Sequence, residues 1–421
     1  MVTKKYKKLY EYVEEVCAKL SDETEKEMFK RCFLNTLETT VEEEKDDVFI
    51  KTGDIPAMWL RDSSVQVSHY VRFAGEDKDV KELIRGTLKR QFESILTDPY
   101  ANAFNKTADG RGHKDITKLN DRVWERKYEL DSLIYPLWLL NRYYFYSKDK
   151  SVFNELFFKC YEEILKVMKT EQFHDEKSDY SFKRTGEFAY DTLPNDGRGE
   201  PSGYTGMVWS AFRPSDDRCV YHYLVPSNMF AVAVLKELSE NLKNSGTENP
   251  FEDKAQKLIR EIDEGIKKFA LTDDGEGGKI YAYETDGKGN YNFMDDANVP
   301  SLLSMPYIGY CKKDDSLYLN TRRAVLSGKN PYYYSGKLVD GIGSPHTPER
   351  YVWHIAVVMR ALTSTQKADV ESARKVLKNT TAGTLYMHEG FHVDDDTQYT
   401  RSWFAWANTL YAIFIMDCVL E

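Results

Sequence analysis

Cysteine is scarce in this chain and nowhere paired by spacing. Six occur in 421 residues, at Cys17, Cys32, Cys160, Cys219, Cys311 and Cys418, and no Cys-x-x-Cys unit is present. This scatter argues against a disulfide framework and fits a reducing compartment. No run of roughly 18 apolar residues exists, so no membrane span is expected. The first twenty residues start basic but carry acidic residues and no apolar stretch, so they do not read as a secretory signal, and a cytoplasmic location is expected. Positive charge is also in short supply: 58 Lys and Arg stand against 68 Asp and Glu, a net charge of -10. Neither nucleic acid nor an anionic membrane surface is an expected partner, whereas a neutral ligand suits this balance.

Several signatures of cofactor chemistry are missing too. There is no Walker A loop, no Gly-x-Gly-x-x-Gly and no Gly-x-Ser-x-Gly; Gly110-Arg111-Gly112 and Gly197-Arg198-Gly199 read as turns. His388 and His392 stand four apart, but Gly390 interrupts them, and they read as pocket or core histidines. Asp394-Asp395-Asp396 lacks the alternation and glycine of a calcium loop and reads as a solvated loop or a substrate contact. No cofactor and no metal are expected.

What the chain has in quantity is aromatic side chains: 29 Tyr, 21 Phe and 7 Trp, 14% of all residues. Flat rings pack on the C–H face of a pyranose, although a tyrosine-rich core would give the same composition. Apolar residues recur every three or four positions in many stretches, starting with Tyr6, Leu9, Tyr10, Val13, Cys17 and Leu20. Asp22 is placed to cap a second helix running to about Thr40. Val80 to Leu96, Leu130–Tyr144, Val152–Met168, Ser227–Asn244, Phe251–Phe269, Arg350–Thr363, Lys367–Leu377 and Ser402–Leu420 extend the series. One β-hairpin is expected, Lys279–Glu284 with Tyr291–Phe293, and a short strand at Val48–Thr52. No linker divides the chain, so one domain, residues 1–421, is expected. Paired helices without a fixed repeat suggest an all-α toroid of helical hairpins rather than a solenoid.

The unusual residues gather in six loop segments: 52–64, 124–136, 203–223, 294–307, 343–354 and 386–406. Cleaving a glycosidic bond needs two carboxyl groups, one protonated and one ionised. Asp216 and Asp217 are adjacent, and like charges side by side raise one pKa; the pair would also serve as a helix cap or a solvated loop. Glu389 lies far along the chain and could face them. Trp59 with Arg61 and Asp62 reads as a clamp, the ring for stacking and the Arg-Asp pair for vicinal hydroxyls, or else as a salt bridge at a helix start. Glu129 and Asp131 could reach a sugar, or stabilise a first helical turn.

At these residues the chain resembles glycoside hydrolase family 125, the exo-α-1,6-mannosidases. The resemblance runs from about Phe29 to Ala412 and rests on GDIPAMWLRDSS, WERKYELDS, GYTGMVWSAFRPSDD, MDDANVPSLLSMPY, SPHTPER and YMHEGF followed by TRSWFAWAN. It implies an (α/α)₆ fold, inversion of configuration, independence of metal, and release of non-reducing α-1,6-linked mannose, as in N-glycan fragments. It puts the general acid at Asp216, with Asp217 as the fallback, and the general base at Glu389. It implies sugar contacts at Asp54, Arg61, Asp62 and Asp131, with His346 and Arg350 as further candidates. Trp209, Phe212 and Trp403 could line the leaving-sugar side. After Glu389 the chain reads Gly390-Phe391, where Ser-Phe is more usual in the family. Three other readings stay open: a glycoside phosphorylase with a cationic pocket, a glycan-binding protein without turnover, and a sugar epimerase using His346 and His388.

Overall fold

The structure, a computed structural model, describes residues 5–186 and 188–420. Twelve helices of seven residues or more occur among the described residues: α1 (Lys7–Lys19), α2 (Glu23–Thr39), α3 (Leu60–Gln66), α4 (Lys78–Thr97), α5 (Leu130–Ser147), α6 (Glu155–Glu171), α7 (Val225–Ser245), α8 (Glu252–Phe269), α9 (Ser316–Val325), α10 (His354–Leu362), α11 (Lys367–Asn379) and α12 (Ala405–Phe414). Their burial sorts them into two rings. In α12 every residue is buried, and in α5 burial is unbroken from Leu130 to Asn141. A helix that is apolar on all sides belongs inside. By contrast α8 buries one stripe, Ala255, Leu258, Ile259, Ile262 and Ile266, and presents charge elsewhere.

The inner ring is α3, α5, α7, α10 and α12, with neighbours packed side by side except between α7 and α10. There the turn-rich stretch 299–311 takes the sixth place, with Tyr307 and Ile308 sharing one apolar space with Phe230 of α7 and Trp406 of α12. Outer helices follow inner ones, α8 packing on α7 and α11 on α10. The ring closes where α2 packs against α12. This is an all-α (α/α)₆ toroid with small strand pieces added. Asp22 does cap α2, accepting from the Glu25 amide at 3.1 Å.

Three short strands, Met58–Trp59, Tyr223–Leu224 and Tyr351–Trp353, lead straight into α3, α7 and α10. The inner helices therefore begin at one end of the toroid, with their N-terminal dipoles gathered there. The expected helix start at Arg350 is wrong for this reason: Tyr351–Trp353 pairs antiparallel with Gly390–His392, and the helix starts only at His354. The expected hairpin is divided. Glu284–Thr285 does pair with Tyr291–Asn292, but Lys279–Tyr281 pairs with Leu271–Asp273. Asp47–Ile50 is a strand, paired with Val41–Glu44. Among the described residues no helix is long and apolar enough to cross a membrane.

Candidate active site

At the end of the toroid where the inner helices begin lies a small cavity of about 60 Å³ that opens to solvent. Its wall includes Trp59, Arg61 and Asp62 from the start of α3, Trp353 before α10, and Trp403, Phe404 and Trp406 around the start of α12. Asp54, Asp216, Asn298, His346, Glu389 and Arg401, with Thr52 and Ser215, complete its polar lining.

Arg61 organises one side. It is buried, and four carboxylates surround it: Glu129 at 2.6 Å, Asp216 at 3.4 Å, Asp62 at 3.5 Å and Asp131 at 3.6 Å. Its guanidinium also lies over the Trp406 ring, 5.7 Å from the centroid. Asn102 adds a second bridge, donating to Glu129 Oε1 at 3.4 Å and to Asp216 Oδ1 at 3.3 Å. The Arg61 charge cannot neutralise four carboxylates, three of them buried, so protons make up part of the difference. Burial pushes Glu129 well above the usual carboxylate range, more than Arg61 pulls it back. Burial likewise brings Asp62 and Asp131 up to about 6 against the same pull. At Asp216 the balance reverses: burial raises it, but Arg61, a hydrogen bond with Glu129, and Lys127 outweigh burial and hold it below its ordinary value. Asp62 Oδ2 and the Trp59 indole N–H, both buried, have no hydrogen-bond partner within the protein.

Asp216 sits on a tight turn. Its amide donates to the Arg213 carbonyl at 2.9 Å, the Arg213 amide donates to the Asp217 carbonyl at 2.8 Å, and φ at Asp216 is 66°. Aspartate tolerates this left-handed conformation better than most residues. The turn is fixed from below by Arg213, which donates to Glu284 at 2.6 Å inside the core. It separates the two aspartates. Asp216 faces the cavity, whereas Asp217 is buried behind it, accepting from Ser215 at 3.1 Å and from His346 Nδ1 at 3.2 Å. Burial would lower His346, but the hydrogen bond and charge of Asp217 raise it to about 9, so the ring is a cation at neutral pH.

Glu389 enters from the other side, immediately before the strand Gly390–His392. Its Oε1 accepts from Arg401 Nε at 3.2 Å, and Arg401 Nη1 donates to Asp54 at 2.6 Å. His388, Glu389 and His392 have the spacing that on a helix would gather zinc ligands, but here the segment is extended. His388 Nδ1 hydrogen-bonds to the Arg401 carbonyl at 2.7 Å, and its ring stacks on Tyr399. The acidic run disperses as well. Asp394 pairs with Arg350 at 2.6 Å, Asp395 accepts from Thr397, and Asp396 accepts from the Ala382 amide. Among the described residues no group of three or more His, Cys, Asp or Glu is arranged to hold a metal ion.

Asp54, Trp59, Arg61, Asp62, Asp216, His346, Glu389 and Trp403 thus converge on the cavity. Glu129 and Asp131 do not line it; they stand behind Arg61, and Asn102 also links Glu129 to Asp216. Arg350 stands apart, committed to Asp394. Trp209 is fully buried between His174 and His222, with ring centroids at 3.6 and 4.3 Å, and Phe212 packs on Phe182. Neither ring lines the cavity. Sequence reasoning passed over Arg401, Asn298 and Asn102. The first two sit within the quoted motifs, whereas Asn102 lies in a plain stretch that carries no signal.

The comparisons with known proteins agree with this geometry. Residues 22–416 match the family model described as metal-independent alpha-mannosidase, GH125. The "Meiotically up-regulated gene 157 protein" of Schizosaccharomyces pombe is 39% identical over 98% of this chain and 85% of its own length. A metal-independent alpha-mannosidase of Streptococcus pneumoniae, solved in a non-productive complex with alpha-1,6-mannobiose, superposes with a TM-score of 0.95 at 45% identity, covering 98% of each chain. A further structure described as a glycosidase, at 12% identity and a TM-score of 0.59 over 94% of this chain and 96% of its own, shares the fold alone.

Proposed function

Since the chain belongs to glycoside hydrolase family 125, the metal-independent α-mannosidases, and is therefore a glycoside hydrolase acting on mannosides, we propose that it is an inverting exo-α-1,6-mannosidase. The observation that carries this is the shared cavity of Asp216 and Glu389. Asp216 gives a proton to the glycosidic oxygen as the bond to the anomeric carbon breaks. Glu389 takes a proton from a water that attacks from the opposite ring face. Inversion needs room for that water, which corresponds to carboxyl groups roughly 6.5–9.5 Å apart. Trp59 supplies a stacking face, and Arg61 and Asp62 close the floor, so that one terminal mannose fits. The α-1,6 preference rests on family membership and on the mannobiose bound by the pneumococcal relative. We further read residues 1–421 as one catalytic domain, and a cytoplasmic location accords with the scattered cysteines.

Proton NMR during hydrolysis of an α-1,6-mannobioside tests the reading. β-Mannose should appear first; α-mannose as the first product would overturn inversion. Product formation should not depend on phosphate, which separates hydrolysis from phosphorolysis. Glu389→Gln should lower kcat by roughly 10²–10⁴-fold; near-normal turnover would remove Glu389 from the role of base.

A further inference from the structure

We propose that Glu129 is a positioning residue that stores the catalytic proton and hands it to Asp216. The inference rests on Asp216 being the acid. Glu129 lies in the floor under the cavity, not on its wall, and both its carboxyl oxygens are engaged. Oε2 accepts from Arg61 at 2.6 Å and from Ser132 at 2.7 Å, while Oε1 meets Asn102 at 3.4 Å. The same guanidinium and the same amide also hold Asp216 Oδ1, so the two carboxyl groups are drawn together on shared donors.

The groups facing Glu129 favour a neutral carboxyl there. Arg61 is the cation in contact, and its charge is shared with Asp62, Asp131 and Asp216. Glu125 lies across Asn102, and the buried Cys219 is also near. Glu129 is the more deeply buried member of the pair, at 0% side-chain exposure against 25% for Asp216. A proton shared between them rests on the buried oxygen while the cavity is open to water, because desolvation penalises charge most at that oxygen.

The step balances simply. The proton leaves Glu129, breaking its O–H bond, and forms an O–H bond on Asp216. Asp216 passes that proton to the leaving oxygen as the glycosidic bond breaks, which leaves both carboxyl groups ionised. The water attacking the anomeric carbon leaves its proton on Glu389. Exchange with solvent then returns one proton to the pair and removes one from Glu389.

Glu129→Gln and Asp216→Asn, assayed side by side on α-1,6-mannobiose and on 2,4-dinitrophenyl α-mannoside, test this. The dinitrophenolate leaves without needing a proton. Both variants should lose roughly 10²-fold or more on the disaccharide and recover most of that on the activated substrate. In Glu129→Gln the basic limb of kcat/KM on the disaccharide should also move to lower pH, since Asp216 alone beside Arg61 gives up its proton sooner. If Asp216→Asn is not rescued, the acid assignment fails. If Asp216→Asn is rescued but Glu129→Gln is impaired equally on both substrates, or keeps its basic limb, only the proton-store role fails. Should Glu129→Gln not fold, the wild-type enzyme decides. Its basic limb must lie above the usual carboxylate range on the disaccharide and vanish on the activated substrate; one limb common to both overturns the proposal.

Discussion

The Arg401 guanidinium bridges Glu389 and Asp54, with Nε 3.2 Å from one carboxylate and Nη1 2.6 Å from the other. Asp54 is mostly exposed, whereas Glu389 is nearly buried. The bridge therefore ties an exposed rim to a buried wall. Arg401→Met should lower kcat/KM by about 10–100-fold, with the larger part in kcat, because Glu389 loses the group that orients it. Steady-state kinetics on mannobiose give the answer; a purely KM effect would mean that Arg401 serves the sugar and not the carboxylate.

His346 and Asp217 predict a pH dependence of stability. The folded value of His346, about 9, lies above the ordinary 6.5, so its contribution is fully present below about pH 6.5 and is lost as pH rises through 9. The ring is one-third exposed, so solvent screening reduces the effect to about 1 kcal/mol. Thermal unfolding of wild type and His346→Gln between pH 6 and 10 should show two Tm curves converging at the alkaline end. Parallel curves would sink the ion pair.

Trp59 offers a test of sugar contact that leaves the fold alone. Its indole N–H is buried without a protein partner. Trp59→Phe should keep Tm within a few degrees and raise KM about tenfold, the value of one hydrogen bond to a hydroxyl. Unchanged KM would show that the N–H makes no contact with the sugar.

Gly390 follows Glu389, at the position where the family resemblance leads one to expect serine. A β-carbon there would stand 3.3 Å from the Trp353 ring and 3.5 Å from Thr347. Gly390→Ser should fold, cost about 1 kcal/mol, and keep activity within about tenfold as the Trp353 ring yields slightly. A loss of 100-fold or more, measured by the same assay, would mean that the Trp353 wall cannot move.

The helical core was legible because apolar residues at three- and four-residue spacing leave little else for α5, α7 and α8 to be. Tyr351–Trp353 was not, since three residues cannot declare a period, and their pairing with Gly390–His392 is a long-range event. In the site, motif residues carried the reading where chemistry and position coincide, as at Arg61 and Asp216. Trp209 shows the limit: a tryptophan in a loop motif has the same letters whether it faces a sugar or stacks on His174. Arg350 misled for the same reason, its charge already matched by Asp394. Asn102 was invisible because an isolated asparagine acquires meaning only from the three carboxyl groups that the fold brings to it, those of Glu125, Glu129 and Asp216.

The closure of the toroid by α2 and α12 reaches beyond the site. Asn408 of α12 donates to Asn35 of α2 at 3.1 Å, and Cys32 of α2 lies 3.3 Å from the Asn408 side-chain oxygen. An early segment thus waits for one of the last to be synthesised. A nascent chain that has not yet released residues 405–414 holds Cys32 and Asn35 without their partner Asn408, a long interval at ordinary translation speed. Production of this enzyme in a foreign host should therefore be limited by what shields that seam during synthesis, more than by the stability of the finished ring.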